Sequence, residues 1–169
     1  MDLLQLCAQE FYHLLSYQYH IIIGRKGKIM EFTISFDQAD FHHLAGLHKL
    51  RDNLRLQTGK RSDVMKEILE IIFRYNARAN IFSVIQADYL LQNDYGETPV
   101  YLFLSQRSDG DTQVCRTLFP KMEKDYAQGQ PRYTLLKKEK MNLNTGEIIL
   151  QYDRLTSKAV IGAPVGSEQ

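Results

Sequence analysis

YQYHIIIGRKGKIMEFTISF, residues 17–36, sets two runs rich in aromatic and β-branched side chains on either side of Gly24-Arg25-Lys26-Gly27. Such side chains suit the pleated, half-buried surface of a strand, and the two glycines supply the freedom that a tight reversal needs. The stretch is therefore expected to form a β-hairpin. On its N-terminal side Leu3, Leu4, Cys7, Phe11, Leu14 and Leu15 recur at helical spacing, which predicts an amphipathic helix over 2–16. On its C-terminal side Asp37 is placed to cap a second helix, ended by the Gly59-containing stretch Leu56 to Lys60. Ser62 is placed to cap a third, in which Val64, Ile68, Ile71, Ile72 and Tyr75 are spaced to pack.

Beyond about residue 82 the helical period gives way to short strand-like runs separated by turn residues. Strands are expected over 83–91, 98–105, 113–119, 132–141 and 147–153, the last four as a meander. Ser108-Asp109-Gly110-Asp111 and Asn144-Thr145-Gly146 provide turn chemistry, and Lys121 to Pro131 is a longer excursion. The expected fold is α+β: N-terminal helices packed on a C-terminal four-stranded antiparallel sheet, with the early hairpin added. Residues 1–156 are expected to make one domain, and the small, polar residues 157–169 a frayed tail.

The totals, 169 residues with 44% hydrophobic and 24% charged side chains, suit one globular core. No apolar run approaches the roughly 20 residues of a membrane span, and no signal-peptide pattern opens the chain, so a soluble cytosolic protein without membrane contact is expected. Cys7 and Cys115 are too few for a disulfide framework or a Cys-rich zinc site and are expected as packed thiols. A net charge of +1 gives no global attraction to nucleic acid, yet seven bases against three acids leave +4 between Arg116 and Lys140.

The run FHHLAGLHKL, Phe41 to Leu50, holds three of the five histidines. On a helical wheel Phe41, Leu44 and Leu47 form an apolar face, with His42, Gly46, Lys49 and Asn53 opposite. His43 falls on the flank beside Leu47, Leu50 and Leu54, where an imidazole is partly desolvated but can still reach a neighbour. The three histidines lack the i, i+4 spacing of a helical zinc pair, and no HExxH occurs. Gly59-Lys60 does not complete a phosphate-binding loop, because Leu54 stands where glycine is required and Arg61 where Ser or Thr should bind magnesium. There is no GxSxG nucleophile elbow, and Asp37, Asp40 and Asp52 scatter around the helix where a two-magnesium nuclease would cluster them.

What remains is His, Lys, Arg, Thr and Tyr, with neither metal nor cofactor expected. That set suits RNA cleavage. RNA carries its own nucleophile, so a protein need only take the 2′-hydroxyl proton, return one to the leaving 5′-oxygen and stabilise the crowded phosphate.

The Phe41–Leu50 run also resembles a pattern, Phe-x-His-Leu-x-Gly-Leu/Ile-x-Lys-Leu, of the fourth phage-associated group of Barnase/EndoU/colicin/RelE-like nuclease domains. A second block is similar: Arg116-Thr117-Leu118-Phe119-Pro120, Tyr126, Gly129-Gln130, Tyr133-Thr134-Leu135-Leu136, Lys138-Glu139-Lys140, Thr145-Gly146-Glu147 and Tyr152-Asp153. With Ala87 to Leu91 these span most of residues 10–155. Two departures stand out: Thr117-Leu118 where Ser-Phe is expected, and a shorter helical stretch before Ala87. The resemblance implies helices against a four-stranded antiparallel sheet and metal-independent RNA cleavage by a protein of a phage, prophage or mobile element.

On that reading His43 is the candidate proton-transfer residue, with Lys49, Arg116 and Lys138 as cations and Thr117 and Thr134 as hydroxyl donors. Tyr126, Arg132, Tyr133 and Lys137 are candidate RNA contacts. Strand alternation points Arg116 and Thr117 to opposite faces unless a bulge intervenes, and likewise Tyr133 and Thr134. The expected partner is RNA, tRNA or mRNA among others, with a protein antidote as a second. The alternatives are a non-catalytic nucleic-acid or protein binding module on the same fold, and an unrelated α+β structural protein with core histidines.

Overall fold

A computed structural model describes residues 3–45, 71–75, 85–93, 99–108 and 110–156. Helix α1 (Leu3–Leu14) opens the chain and buries Cys7, Phe11 and Leu14, the i, i+4, i+7 stripe expected of it. Strands β1 (Tyr17–Arg25) and β2 (Lys28–Ile34) form the expected hairpin, in register from Tyr19↔Ile34 to Arg25↔Lys28. Lys26 and Gly27 remain as a two-residue turn with φ of 49° and 77°. Positive φ at both central positions matches a type I′ connection between right-twisted strands.

The rest of the architecture corrects the expected α+β division: the protein is mostly β. Strands β3 (Ile71–Arg74), β4 (Tyr89–Asn93), β5 (Val100–Gln106), β6 (Gln113–Pro120), β7 (Arg132–Asn142) and β8 (Ile148–Asp153) join the hairpin in one sheet. Its order is β1-β2-β6-β5-β4-β3-β7-β8, and β1 also pairs with β7. Seven strands thus close into a mixed barrel, and β8 is an extra strand on β7. The described residues hold just two short helices, α1 and α2 (Asp40–Leu44), and none long and apolar enough to cross a membrane.

The meander holds only in its two halves. β5–β6 and β7–β8 pair antiparallel, but β6 meets β2 through the single parallel rung Ile34↔Gln113, and β7 pairs with β1 and β3. Closure satisfies backbone groups that an open meander would leave along its edges. The 121–131 excursion separates the halves because its Tyr126 seats on the sheet, with ring centroids 5.6–5.8 Å from those of Tyr101, Phe103 and Phe119.

Ile71, Ile72 and Tyr75 were expected at the end of a third helix, yet 71–74 is a strand paired with β4 and β7. Ile72 packs in the barrel interior and Tyr75 in an aromatic cluster outside it with Leu90, Tyr101, Phe103 and Phe119. A helix would have set residues three apart on one face; a strand sets them on two, and both faces here are apolar. Helix α2 likewise lacks the expected cap. Asp37 Oδ1 accepts the Ala39 N–H at 3.4 Å, while Asp40 Oδ2 accepts the Asp37 N–H at 2.8 Å. The remainder of the second and third expected helices, residues 46–70, lies outside the described residues, as does the tail from 157.

Candidate nucleic-acid interface

Along β1, Tyr19, Ile21 and Ile23 are buried inside the barrel, so His20, Ile22 and Gly24 face outward. Register carries this alternation to β7. Tyr19 and Ile21 stand opposite Lys140 and Lys138, which therefore point inward, while His20 and Ile22 stand opposite Glu139 and Lys137 on the outside. Lys138 is only 8% exposed, and Lys140 Nζ lies 3.9 Å from the Tyr17 ring centroid. A bulge at Leu136 shifts the register, after which Ile23 faces Leu135 and Gly24 faces Thr134. Of the expected basic run, Arg132, Thr134 and Lys137 look outward and Tyr133 and Lys138 inward.

The described members of the expected catalytic set lie on different elements, and the strand order holds Arg116 and Thr134 apart. His43 sits on the exposed side of α2, which follows the C-terminal end of β2, its ring centroid 6.3 Å from that of His42. Arg116 is the extra residue of a bulge in β6 and lies exposed, donating from Nε to Ser105 Oγ at 2.6 Å, with half-buried Thr117 beside it opposite Phe103. Thr134 is on β7. Between β6 and β7 lie β2 and β1 one way and β5, β4 and β3 the other, so at least about 14 Å of sheet separates Arg116 from Thr134. Lys49 lies outside the described residues. Tyr126 packs as described above, under Lys124 Nζ at 4.6 Å.

Two of the expected residues do border a common surface. Thr134 lines an open cleft of about 360 Å³ with Gly24, Arg25, Lys26, Lys28, Leu136 and Arg154. Four basic residues border it, and no acid among the described residues does. The type I′ turn presents Lys26 at the hairpin tip, while Arg25 and Lys28, paired across the hairpin, share the parity of the inward residues of β1, and Arg25 Cζ stands 6.0 Å from the ring centroid of inward Tyr133. Arg154 is tethered from the other side by its N–H to the Leu136 carbonyl, 2.8 Å. A Cβ on Gly24 would come within 2.8 Å of Leu136 Cδ1, so glycine is what lets that side chain lie across the strand. Lys137 continues the same outer face, paired with Glu139 at 2.6 Å. The Glu139 contact raises the Lys137 pKa, and Lys137 in turn holds Glu139 below the usual carboxylate range.

Turn chemistry alone accounts for Gly24 to Gly27, and the signal for the cleft is the charge of the same stretch, three bases within residues 25–28. Arg154 offered none, because only β7–β8 pairing carries it to the cleft. A model of the family phage-Barnase-EndoU-ColicinE5/D-RelE like nuclease4 (PBECR4) matches residues 3–71 and 52–155. The chain belongs to the PBECR4 family. Its matched segments run from α1 to just past β8, so the cleft lies within the PBECR4 region. No curated protein and no solved structure matches the chain.

Proposed function

We propose that this PBECR4 protein is a metal-independent endoribonuclease of a phage, prophage or mobile element that holds RNA at the end of the barrel formed by the β1–β2 turn and the neighbouring part of β7. The observation that carries the reading is the cleft lined by Arg25, Lys26, Lys28 and Arg154, with the Thr134 hydroxyl beside them. Guanidinium and ammonium groups match phosphate in charge and geometry, and a hydroxyl adds a neutral donor. Nuclease-family membership supports a nucleic-acid substrate. The reaction is attack of the RNA 2′-hydroxyl on the adjacent phosphate, for which the substrate supplies the nucleophile and the protein proton transfer and charge.

Protein treated with EDTA should cleave single-stranded RNA, tRNA or mRNA, leaving a 2′,3′-cyclic or 3′-phosphate end. Arg25→Ala with Lys28→Ala should weaken binding, and the wild-type affinity should fall with salt at a log–log slope of up to about −3, as for four phosphate contacts to a single strand. Intact RNA and a salt-insensitive affinity would remove the proposal. A second reading, a binding module without catalysis, is favoured by the separation of Arg116 from Thr134. Salt-sensitive binding with no cleavage would select it.

A further inference from the structure

The outer face that carries the cleft also carries a histidine held between two carboxylates. His20 Nε2 is 3.2 Å from Glu31 Oε2 on β2, and His20 Nδ1 is 3.6 Å from Glu139 Oε2 on β7. Three adjacent strands therefore converge on one imidazole. Glu139 is the direct cross-strand neighbour of His20, Glu31 reaches it diagonally from opposite Ile22, and Lys137 occupies the other oxygen of Glu139 at 2.6 Å. The His20 side chain is 37% exposed and that of Glu31 69%, so both are open to a ligand lying on the barrel wall. From His20 the outward positions continue through Ile22 to Gly24 at the cleft, about 13 Å along the strand. A few nucleotides of RNA span that distance with one phosphate at the basic hairpin-tip end and another over the imidazole.

We infer that His20 and Glu31 are the proton-transfer pair of RNA cleavage and that the cleft at the β1–β2 turn is the neighbouring phosphate subsite, an inference that rests on the ribonuclease reading. In the imidazolium form both ring N–H groups of His20 have a carboxylate to hold them, which fixes the ring and presents a proton. Glu31 takes the proton of the attacking 2′-hydroxyl as its oxygen bonds to phosphorus. The bond from phosphorus to the 5′-oxygen breaks, its electron pair stays on that oxygen, and His20 supplies the proton. A 2′,3′-cyclic phosphate and a 5′-hydroxyl result. The proton on Glu31 then passes to His20 through the contact they share, and both groups are reset. Glu139, paired with Lys137, is a positioning residue that orients the ring from the far side.

The test compares wild-type full-length chain with His20→Gln, Glu31→Gln and the Arg25→Ala/Lys28→Ala double variant, using one 5′-labelled single-stranded RNA in EDTA. Cleavage, affinity by fluorescence anisotropy and thermal unfolding are read for each. His20→Gln should lose at least about 100-fold in cleavage rate with affinity and unfolding midpoint unchanged, and Glu31→Gln should behave alike. The double variant should lose affinity. A merely structural surface ion pair contributes little to stability and nothing to turnover, so it would leave cleavage intact. Wild-type cleavage matched by either single variant would overturn the His20–Glu31 assignment while the ribonuclease reading stands. If His20→Gln does not fold, the exposed Glu31→Gln variant decides alone. A wild-type protein that does not cleave overturns both.

Discussion

Asp40 stands among the most buried charged side chains described, and its surroundings explain why it is tolerated there. Arg107 Nη2 donates to it at 2.9 Å and to the Ser35 carbonyl at 3.2 Å, tying α2 and the end of β2 to the loop after β5. Asp40→Ala would leave the guanidinium facing a hole, so a loss of roughly 2–3 kcal/mol is expected in urea unfolding. Tyr19 is the opposite case: its hydroxyl is buried without a hydrogen-bond partner among the described residues. Tyr19→Phe should therefore leave the urea midpoint unchanged or raise it, by up to about 1 kcal/mol. Asp125 gives a pH signature. Burial raises its pKa, but the Ala127 N–H, the Tyr101 hydroxyl and Lys121 outweigh that and hold it below the usual carboxylate range. A depressed native pKa contributes stability above the unfolded value, lost as pH falls through the native one. The urea midpoint should drop between about pH 5 and pH 3, and Asp125→Asn should flatten that drop.

At the level of elements, the hairpin was legible because its information is local. Alternating apolar residues and a glycine two-residue turn admit one register. Gly27 has φ of 77°, and Gly27→Ala should cost about 1–2 kcal/mol in thermal or urea unfolding. The 71–75 segment was misread for a physical reason. Ile71, Ile72 and Tyr75 satisfy a helical spacing, but β4 and β7 offer two open ladders and apolar surface on both faces, so pairing overrides the period. The bulges at Leu136 in β7 and Arg116 in β6 were equally invisible, since an extra residue is defined only against a partner strand. They decide what lies beside what: Leu136 enters the cleft and Arg116 turns to Ser105.

For the whole molecule, closure sets a gradient of stability. β1 is laddered by β2 on one edge and β7 on the other, whereas β8, among the described residues, pairs only with β7 and exposes Ile148, Ile149 and Leu150. Native-state hydrogen exchange should therefore be slowest for amides of Tyr19 to Ile23 and fastest, among strands, for β8. Equal protection would contradict the pairing. The local pattern of residues was enough to establish the hairpin, strands over most of β5 to β8, the family resemblance and the candidacy of Thr134 and Lys137. Alternation and turn chemistry act over a few residues, and a linear reading can follow them. Closure of the barrel, the inward turn of Lys138, the meeting of His20 with Glu31 and Glu139, and the gathering of Arg154 with Arg25 and Lys28 were decided by tertiary structure alone. Each depends on which distant strand lies alongside, and that choice is made by the free energy of satisfying every edge at once.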